Sequence, residues 1–344
     1  MNLDQPESYA QVDTTDALGD LEAMAEQWRA ARVGAADRLA LDGLRTVVVA
    51  GMGGSGITGD VVRTLADGRL ALPVVVHKGY GMPGWVGPQT LVLAVSCSGG
   101  TEETLAAVEE AASRGARLAA ISSGGRLSER AREDGFPLYE AKGGLPPRHS
   151  IGMLAAPALG ALGLDEDLDE ALAAMEQVIA ACRRDVPTAE NPAKRLGAQL
   201  GDGRPLVIWG TQGLAEVAAY RFHCQLNENA KLPSIVNVLP ELDHNEVVGW
   251  QEAPVGDGFA GLAVLRDPDG EPEPVTRRVE PSVAAAREHV DWVEQLHPQG
   301  QSRLARLVTL MLLGDFASVY AALALDRDPT PIPSIDALKA ELAR

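Results

Sequence analysis

The sequence is poor in cysteine and in aromatic residues. Three cysteines, Cys97, Cys182 and Cys224, occur among 344 residues, and this odd, widely spaced set offers neither a disulfide framework nor paired metal-ligand spacing. Aromatic residues make up 4 % of the chain, so the core must be built mainly from Ala, Val, Leu and Ile. Such a composition is typical of helices packed on buried parallel strands, which read as short continuous apolar runs.

The chain also lacks the features that nucleic-acid binding or membrane insertion require. It has 30 Lys and Arg against 48 Asp and Glu, a formal net charge of −18, so its surface repels phosphate backbones. There is no run of about 18 consecutive apolar residues, and the acidic, polar N-terminus is unlike a secretory signal. We therefore expect a cytoplasmic protein with no nucleic-acid or membrane partner, which must bind any anion through local donors.

Short apolar runs alternate with helical patterns in two successive series. Strands are predicted at residues 46–50, 73–77, 90–95 and 117–121, and again at 205–209, 233–238 and 261–265. Helices are predicted at 154–183, 282–296 and 301–325, with a surface loop at 266–281. The alternation predicts an α/β fold with two doubly wound parallel sheets and flanking helices, which we divide into domains 1–153 and 154–344.

Glycines follow the first predicted strand, in the motif GMGGSG at residues 51–56. Small residues allow backbone N–H groups to approach an anion at the positive end of the following helix. The motif lacks the lysine of a nucleotide P-loop and the spacing of the dinucleotide fingerprint. It therefore indicates either an anion site or only a tight strand-to-helix turn.

Hydroxyl groups follow another predicted strand of the first series, in SCSGGTEET at residues 96–104. Ser96, Ser98 and Thr101 can hold a phosphate together with helix amides, without metal or lysine. The same hydroxyls could instead cap the helix, and Cys97 is interpreted as a small filler residue. Because open parallel sheets bind ligands at the carboxyl ends of their strands, the two turns together favour an anion site there.

Arg148 follows two prolines in LPPRH, residues 145–149. The prolines stiffen the chain before Arg148, which suits holding its guanidinium over an anion. A lone arginine in a linker is, however, more commonly just solvated. Arg148 is therefore a candidate anion ligand whose role depends on the fold.

Two acidic segments carry candidates for acid and base chemistry. Glu228, in NENAK, and His244, in PELDHNE, can serve as general base and general acid if the fold brings them to a sugar. Glu228 can equally pair with Lys231 along a helix. A metal site at His244 with the carboxylates beside it is disfavoured, because the ligands crowd into one short turn without a second histidine at ligand spacing.

Taken in order, these motifs resemble those of one known family. VVVAGMGGSGITGD, SCSGGTEETL, LPPR, QLNENAKLP, PELDHNEVVGW and DPTPIPSIDALK run from about residue 45 to the end. The set is similar to that of the bifunctional phosphoglucose/phosphomannose isomerases, which resemble double sugar isomerase (SIS) domain proteins. The resemblance implies two SIS-type subdomains and a homodimeric aldose–ketose isomerase that acts on hexose 6-phosphates without metal or other cofactor.

The same resemblance implies a role for each matched residue. The substrate phosphate would be bound by Gly54, Ser55, Ser96, Ser98 and Thr101. Glu228 would move a proton between C1 and C2, and Arg148 would stabilise the enediolate charge. His244 would assist ring opening from the partner subunit, and Lys339 would complete the site from the C-terminal helix.

The sequence departs from the family pattern at four positions. Cys97 and Gly100 replace the tyrosine and asparagine of the usual SYSGNT motif, which removes two side chains from the turn. His149 stands where a small residue is common, and Ile332 where some archaeal members have a threonine linked to accepting mannose. The departures therefore bear on ligand contacts and on the mannose substrate.

Two other functions fit phosphate-binding motifs of this kind. One is a non-catalytic, sugar-phosphate-binding SIS regulatory protein, and the other is an isomerase of a different sugar phosphate. A regulatory protein would have the phosphate motifs without an acid/base set, usually beside a DNA-binding domain. Since Glu228, His244, Arg148 and Lys339 are all present, the hexose 6-phosphate isomerase is favoured.

Overall fold

The computed structural model describes residues 1–253 and 258–342. It contains two separate parallel sheets. The first sheet contains β1 (Thr46–Ala50), β2 (Val74–His77), β3 (Thr90–Ser96), β4 (Arg117–Ser122) and β5 (Leu138–Glu140), in the order β2-β1-β3-β4-β5. The second contains β6 (Leu206–Thr211), β7 (Ser234–Leu239), β8 (Phe259–Leu265) and β9 (Val290–Leu296), in the order β7-β6-β8-β9. Every strand pair is parallel. The predicted α/β fold with two parallel sheets is confirmed.

Helices precede, connect and follow the strands. The helices up to residue 161 are α1 (Ala17–Glu22), α2 (Met24–Ala30), α3 (Gly53–Ala66), α4 (Glu102–Ser113), α5 (Gly125–Asp134) and α6 (Ile151–Ala161). The remainder are α7 (Leu168–Cys182), α8 (Pro192–Gln199), α9 (Leu214–Gln225), α10 (Glu246–Trp250), α11 (Glu273–Ala286), α12 (Arg303–Ala324) and α13 (Pro333–Leu342). A π-helix, Leu226–Ala230, continues α9, and 3₁₀ helices include Pro147–His149 and Glu241–His244.

The chain divides into two compact units. Unit 1 comprises Met1–Glu22, Ala174–Gln301 and Arg306–Arg344, and it contains the second sheet. Unit 2 comprises Ala23–Ala173 and Ser302–Ala305, and it contains the first sheet. The domain boundary between residues 153 and 154 stays a prediction.

In unit 2, the central strands are buried and small residues bring the helices close to them. All residues of β3 and four of the five in β1 are buried, as expected for parallel strands covered on both faces. A Cβ atom on Gly59 of α3 would lie 2.7 Å from Cγ1 of Val76 in β2. Glycine at this position therefore lets α3, which begins in the GMGGSG motif, lie directly on the sheet.

The long apolar helix α12 belongs to the protein interior. Among the described residues it is the one helix long and apolar enough to cross a membrane by length and composition. However, 89 % of its apolar window is buried inside the protein, including Leu304, Leu307, Leu312 and Phe316. Burial of this kind accounts for its hydropathy without a membrane.

The predicted surface loop at 266–281 and the predicted helix at 282–296 are wrong. The helix here is α11, which begins at Glu273 and ends at Ala286. Pro274 is accommodated in its first turn, where the missing N–H would have no partner within the helix. Val275, Val279 and Val283, spaced four residues apart, form its buried face, and burial of that face outweighs the loop-like composition.

Three further boundaries differ from the predictions. The segment 290–296 is the edge strand β9, whose middle residues are only half-buried, so its hydrophobic pattern is weak. The single helix predicted at 154–183 is divided into α6 and α7, and Gly163, with a φ of +69°, lies just after the end of α6. The short strand β5 was not predicted at all.

Candidate functional site

The glycine-rich motif forms the turn between β1 and α3 in unit 2. Gly53 has a φ of +54°, in the left-handed region that favours glycine. A Cβ atom on Gly51 would lie 2.7 Å from the backbone oxygen of Val95 near the end of β3. The glycines therefore hold this turn against the neighbouring strand, at the carboxyl edge of the sheet.

Hydrogen bonds join the glycine turn to the hydroxyl turn that follows β3. Ser55 Oγ accepts a hydrogen bond from the Cys97 backbone N–H at 3.2 Å. Ser96 Oγ lies 2.9 Å from Thr101 Oγ1 and accepts from the Gly99 N–H at 3.1 Å. The structure thus brings together three of the hydroxyls predicted from two separate motifs.

Ser98 differs from these hydroxyls because its side chain is exposed at the rim of the turn. Its Oγ accepts a hydrogen bond from the Gly100 N–H at 3.3 Å, which leaves the hydroxyl proton able to point outward. Ser55 and Ser96 are buried beneath it, and Thr101 is half-buried. The predicted phosphate-binding hydroxyls therefore differ in exposure, from the buried Ser55 and Ser96 to the exposed Ser98.

Thr101 is the residue before α4, but it does not cap the helix. Its hydroxyl is engaged with Ser96, and within the described residues no side chain caps the first turn of α4 or of α3. The first N–H groups of a helix have no partner inside it and attract anions. The N-termini of α3 and α4, which have no side-chain caps, therefore lie at the same edge of the sheet.

The turn that carries Arg148 packs against the start of α3. A Cβ atom on Gly54 would lie 2.8 Å from the backbone oxygen of Pro147, so only glycine permits this approach. Arg148 is 3 % exposed and His149 is fully buried. The predicted cation therefore lies beside the glycine turn, and His149 serves as a buried part of the Pro147–His149 helix.

Two polar residues at this sheet edge were missed by the sequence analysis. Ser123 Oγ donates to the Cys97 backbone oxygen at 2.5 Å, and Lys78, which follows β2, pairs with Asp60 at 2.5 Å. Ser123 belongs to SSGG at residues 122–125, a third hydroxyl-and-glycine turn directly after a strand. That repetition was the signal that could have found it.

Cys97 belongs to the hydroxyl turn and is buried where that turn meets the glycine turn. Burial raises the pKa of its thiol, so the residue is a neutral thiol at physiological pH rather than a reactive thiolate. Its backbone N–H and carbonyl oxygen bind Ser55 and Ser123. This environment agrees with the interpretation of Cys97 as a small filler residue.

Glu228 belongs to unit 1, where it lies half-buried in the π-helix Leu226–Ala230. Single π-turns are rare and frequently occur at functional sites. The next residue, Asn229, is fully buried and donates to Ser318 Oγ at 2.9 Å. Lys231, with a φ of +51°, donates to the backbone oxygens of Asn229 and Asp328. Its ammonium group therefore closes the end of the turn.

A buried ion pair connects the helix before Glu228 to α12. Arg221 donates from Nε and Nη2 to the Asp315 carboxylate at 2.9 and 2.8 Å, and both side chains are 2 % exposed. Gln225 Nε2 donates to the same carboxylate at 3.1 Å. In addition, Arg327 donates to the backbone oxygen of Ala230 at 2.8 Å. The turn that carries Glu228 is thus held at both ends.

His244 and Lys339 are exposed in unit 1. His244 is the last residue of the 3₁₀ helix that follows β7, and Lys339 lies on α13, which buries none of its residues. Both side chains are therefore accessible on the surface of this chain.

The acidic residues beside His244 bind other protein groups. Glu246 accepts from Trp209 Nε1 at 2.8 Å and from Asn237 at 2.9 Å, and Asp243 accepts from Ser282 at 2.6 Å. Within residues 1–253 and 258–342, no group of three or more His, Cys, Asp or Glu side chains is arranged to hold a metal ion. Asp243 and Glu246 therefore have structural roles.

Known proteins resemble this chain in sequence and in fold. Residues 41–133 match the SIS domain family, and residues 189–342 match the bacterial phospho-glucose isomerase C-terminal SIS domain family. The bifunctional phosphoglucose/phosphomannose isomerase of Caldicellulosiruptor bescii is 38 % identical over 304 residues, which cover 86 % of this chain and 89 % of the relative. The protein of that name from Aquifex aeolicus is 33 % identical over 299 residues, covering 87 % and 90 %.

A solved structure supports the fold independently of close sequence similarity. A hypothetical protein from Thermus thermophilus superposes with a TM-score of 0.79 at 16 % identity, covering 99 % of this chain and 94 % of that one. At this identity the likeness concerns the fold alone.

The buried Arg221–Asp315 pair provides a test of what holds the Glu228 turn. Asp315→Asn leaves the guanidinium buried without its counter-charge, which typically costs about 3–5 kcal/mol. The matched control is Asp291→Asn, because Asp291 pairs with Arg204 while its side chain is 49 % exposed. We expect urea unfolding to show a large loss of stability for Asp315→Asn and less than about 1 kcal/mol for the control. Equal losses would contradict the role given to the buried pair.

Proposed function

The chain belongs to the bifunctional phosphoglucose/phosphomannose isomerase family, and from this premise we propose that it interconverts glucose 6-phosphate and mannose 6-phosphate with fructose 6-phosphate. It is thus an aldose–ketose isomerase. The observation that best supports this substrate class is the joining of the two turns at the carboxyl edge of the first sheet. We further propose a cytoplasmic homodimer that needs no metal or other cofactor.

The phosphate of the substrate binds at the two turns of unit 2. Gly54, Ser55, Ser96, Ser98 and Thr101 supply backbone N–H groups and hydroxyls, and α3 and α4 begin there without side-chain caps. Hydrogen bonds from neutral donors to a charged phosphate are strong when the donors are fixed in advance. The buried contacts among Ser55, Ser96 and Thr101 support this, because they fix the turns before the ligand arrives.

Glu228 acts as the base that moves the proton. Its carboxylate takes the C2 proton of the open-chain aldose. The electron pair of that C–H bond forms the C1–C2 double bond of an enediolate, while the π electrons of the C1–O1 double bond move to O1. The O2 proton moves to O1, and return of the proton from Glu228 to C1 gives the ketose. A half-buried carboxylate on a fixed turn suits this task, because it is reachable by substrate yet held in one position.

Arg148 stabilises the negative charge that develops on the enediolate oxygens. A guanidinium remains charged at any physiological pH, and a buried one acts where water screens it little. Its 3 % exposure and its rigid turn after two prolines support this assignment.

His244 assists opening of the sugar ring, and Lys339 completes the site. Since His244 is exposed on its own chain, it is available to the active site of a partner subunit in a homodimer. The exposed position of Lys339 on α13 leaves its ammonium group available to a substrate oxygen. Ile332, just before α13, bears on the balance between mannose and glucose activity.

Replacing the exposed donor of the hydroxyl turn tests the phosphate site. In Ser98→Ala, one hydrogen bond to a charged group is lost, which typically costs about 1.5–3 kcal/mol. We expect the KM for fructose 6-phosphate to rise by roughly 10- to 150-fold at that cost. Ser113→Ala is the matched control, because Ser113 is also exposed in unit 2 and its hydroxyl donates to the Glu110 backbone oxygen of its own helix. An unchanged KM for Ser98→Ala would remove Ser98 from the site.

Removing the basicity of Glu228 tests the proton transfer. Glu228→Gln keeps the shape and polarity of the side chain, so substrate binding should persist while kcat falls by about 10²–10⁴-fold. The measurement is exchange of the C2 hydrogen of glucose 6-phosphate with deuterated solvent, followed by NMR. Glu241→Gln, an exposed carboxylate of the His244 segment, is the control that should keep normal exchange. Exchange at the normal rate in Glu228→Gln would show that another group is the base.

Prolonged treatment with EDTA tests whether the reaction needs a metal. The proposed mechanism uses protein side chains and backbone groups for every step, so both aldose products should form from fructose 6-phosphate at unchanged rates after chelation. A loss of activity that added zinc restores would instead identify a metal-dependent isomerase.

A further inference from the structure

The second sheet has its own cluster of polar groups at the carboxyl edge. By position in the sheets, β6 and β8 correspond to β1 and β3. In the first sheet β1 lies between the edge strand β2 and β3, and in the second sheet β6 lies between the edge strand β7 and β8. Thr211 ends β6, and Arg266 directly follows β8. These residues therefore occupy the places in the second sheet that the glycine and hydroxyl turns occupy in the first.

A single carboxylate, that of Glu271, lies at the centre of this cluster. Its Oε1 accepts from Thr211 Oγ1 at 2.7 Å, from the Asp267 N–H at 2.9 Å and from Arg266 Nε at 3.2 Å. Its Oε2 accepts from Arg266 Nη2 at 2.7 Å and from Thr276 Oγ1 at 3.2 Å. The side chain of Glu271 is 0 % exposed and that of Arg266 is 11 % exposed.

The surroundings of Glu271 are built to hold a negative charge. Burial alone would raise the pKa of this carboxyl, but the hydrogen bonds from Arg266 and Thr211 more than offset it and lower the pKa below its usual value. Arg266 is itself oriented by Gln295, whose side-chain oxygen accepts from Nη1 at 3.2 Å. The guanidinium of Arg266 is thus also held by a contact that does not involve Glu271.

The set of donors matches a tetrahedral oxyanion as well as a carboxylate. Two hydroxyls, one backbone N–H and a guanidinium fork are the groups that bind phosphate in proteins. We propose that the second sheet carries an oxyanion site of the phosphate class that is occupied by the chain's own Glu271. The anion site of the first sheet is then open to ligands, whereas the site of the second sheet becomes open when the Glu271 side chain is removed. This inference does not depend on the function assigned to the first sheet.

The test removes the internal anion and supplies an external one. The stoichiometry of inorganic phosphate binding to the full-length protein is measured by isothermal titration calorimetry at constant ionic strength, for the wild type and for Glu271→Ala. We expect one more phosphate per chain in Glu271→Ala, whatever the number bound by the wild type. The matched control is Glu273→Ala, because the Glu273 carboxylate is 72 % exposed and pairs with Arg277 on the same helix. This variant should bind phosphate as the wild type does.

A second change identifies where the additional phosphate binds. Adding Thr211→Val to Glu271→Ala removes one donor to the anion, so the additional phosphate should bind about 10- to 100-fold more weakly, as for the loss of one charged hydrogen bond. An unchanged stoichiometry in folded Glu271→Ala, or no effect of Thr211→Val, would overturn the proposal. A wild type that binds no phosphate would count against the first-sheet site only.

If Glu271→Ala does not fold in the absence of phosphate, the yield of refolded protein replaces the binding measurement as the test. The variant is then refolded from urea in phosphate and, separately, in sodium chloride of equal ionic strength. A higher yield of folded protein in phosphate, absent for Glu273→Ala, would support the proposal. Equal yields in the two salts would overturn it.

Discussion

The parallel direction of the strands is the constraint on which the candidate site depends. In a parallel sheet every strand ends at the same edge, so the connections that follow the strands all begin there. The turns after β1, β3 and β4 therefore meet, and their polar groups bind one another: Ser55 and Ser123 both reach the backbone of Cys97. A backbone requirement, the close approach of Gly51 to Val95, fixes the distance between two of these turns. Side chains from separate motifs therefore come together in one candidate site at the carboxyl edge of the sheet.

In unit 1 a different constraint applies to Glu228, the proposed base, because its half-buried carboxylate lies on a π-helix. The π-helix that carries Glu228 has poorer backbone geometry than an α-helix, so it persists only where its surroundings hold it. Here these surroundings are polar and buried: Asp315 binds Arg221 and Gln225, and Ser318 binds Asn229. A buried ion pair adds little net stability but enforces one arrangement, since any displacement would leave a charge unpaired. The fold therefore holds this turn through specific polar contacts in addition to the burial of Leu226 and Ala230.

The sequence predicted those parts of the structure that depend on neighbours in the chain. β1 was predicted at residues 46–50 and is found there, because a strand buried on both faces reads as an unbroken apolar run. The edge strand β9 was missed because its half-exposed residues carry no such run. Likewise, the hydroxyl turn was visible as a motif, whereas the pairing of Arg221 with Asp315, 94 residues apart, is created by the fold and leaves no local pattern. The misassigned α11 is a different case, because the four-residue spacing of Val275, Val279 and Val283 is a local helical signal, but the Pro- and charge-rich composition of the segment favoured a loop.

The high negative charge of the chain explains why both sheet edges rely on local donors. With a net charge of −18, the protein as a whole repels phosphate esters, so an anion binds only where nearby dipoles and hydrogen bonds exceed that repulsion. An anion site on such a chain therefore requires several hydrogen-bond donors fixed close together. The two sheets meet this requirement in different ways. The first leaves its rim, with Ser98, open to an external anion, whereas the second fills its corresponding position with the buried carboxylate of Glu271. Ser98 in the first sheet and Glu271 in the second therefore differ in exposure, although each belongs to a cluster of hydrogen-bonding groups at the carboxyl edge of its sheet.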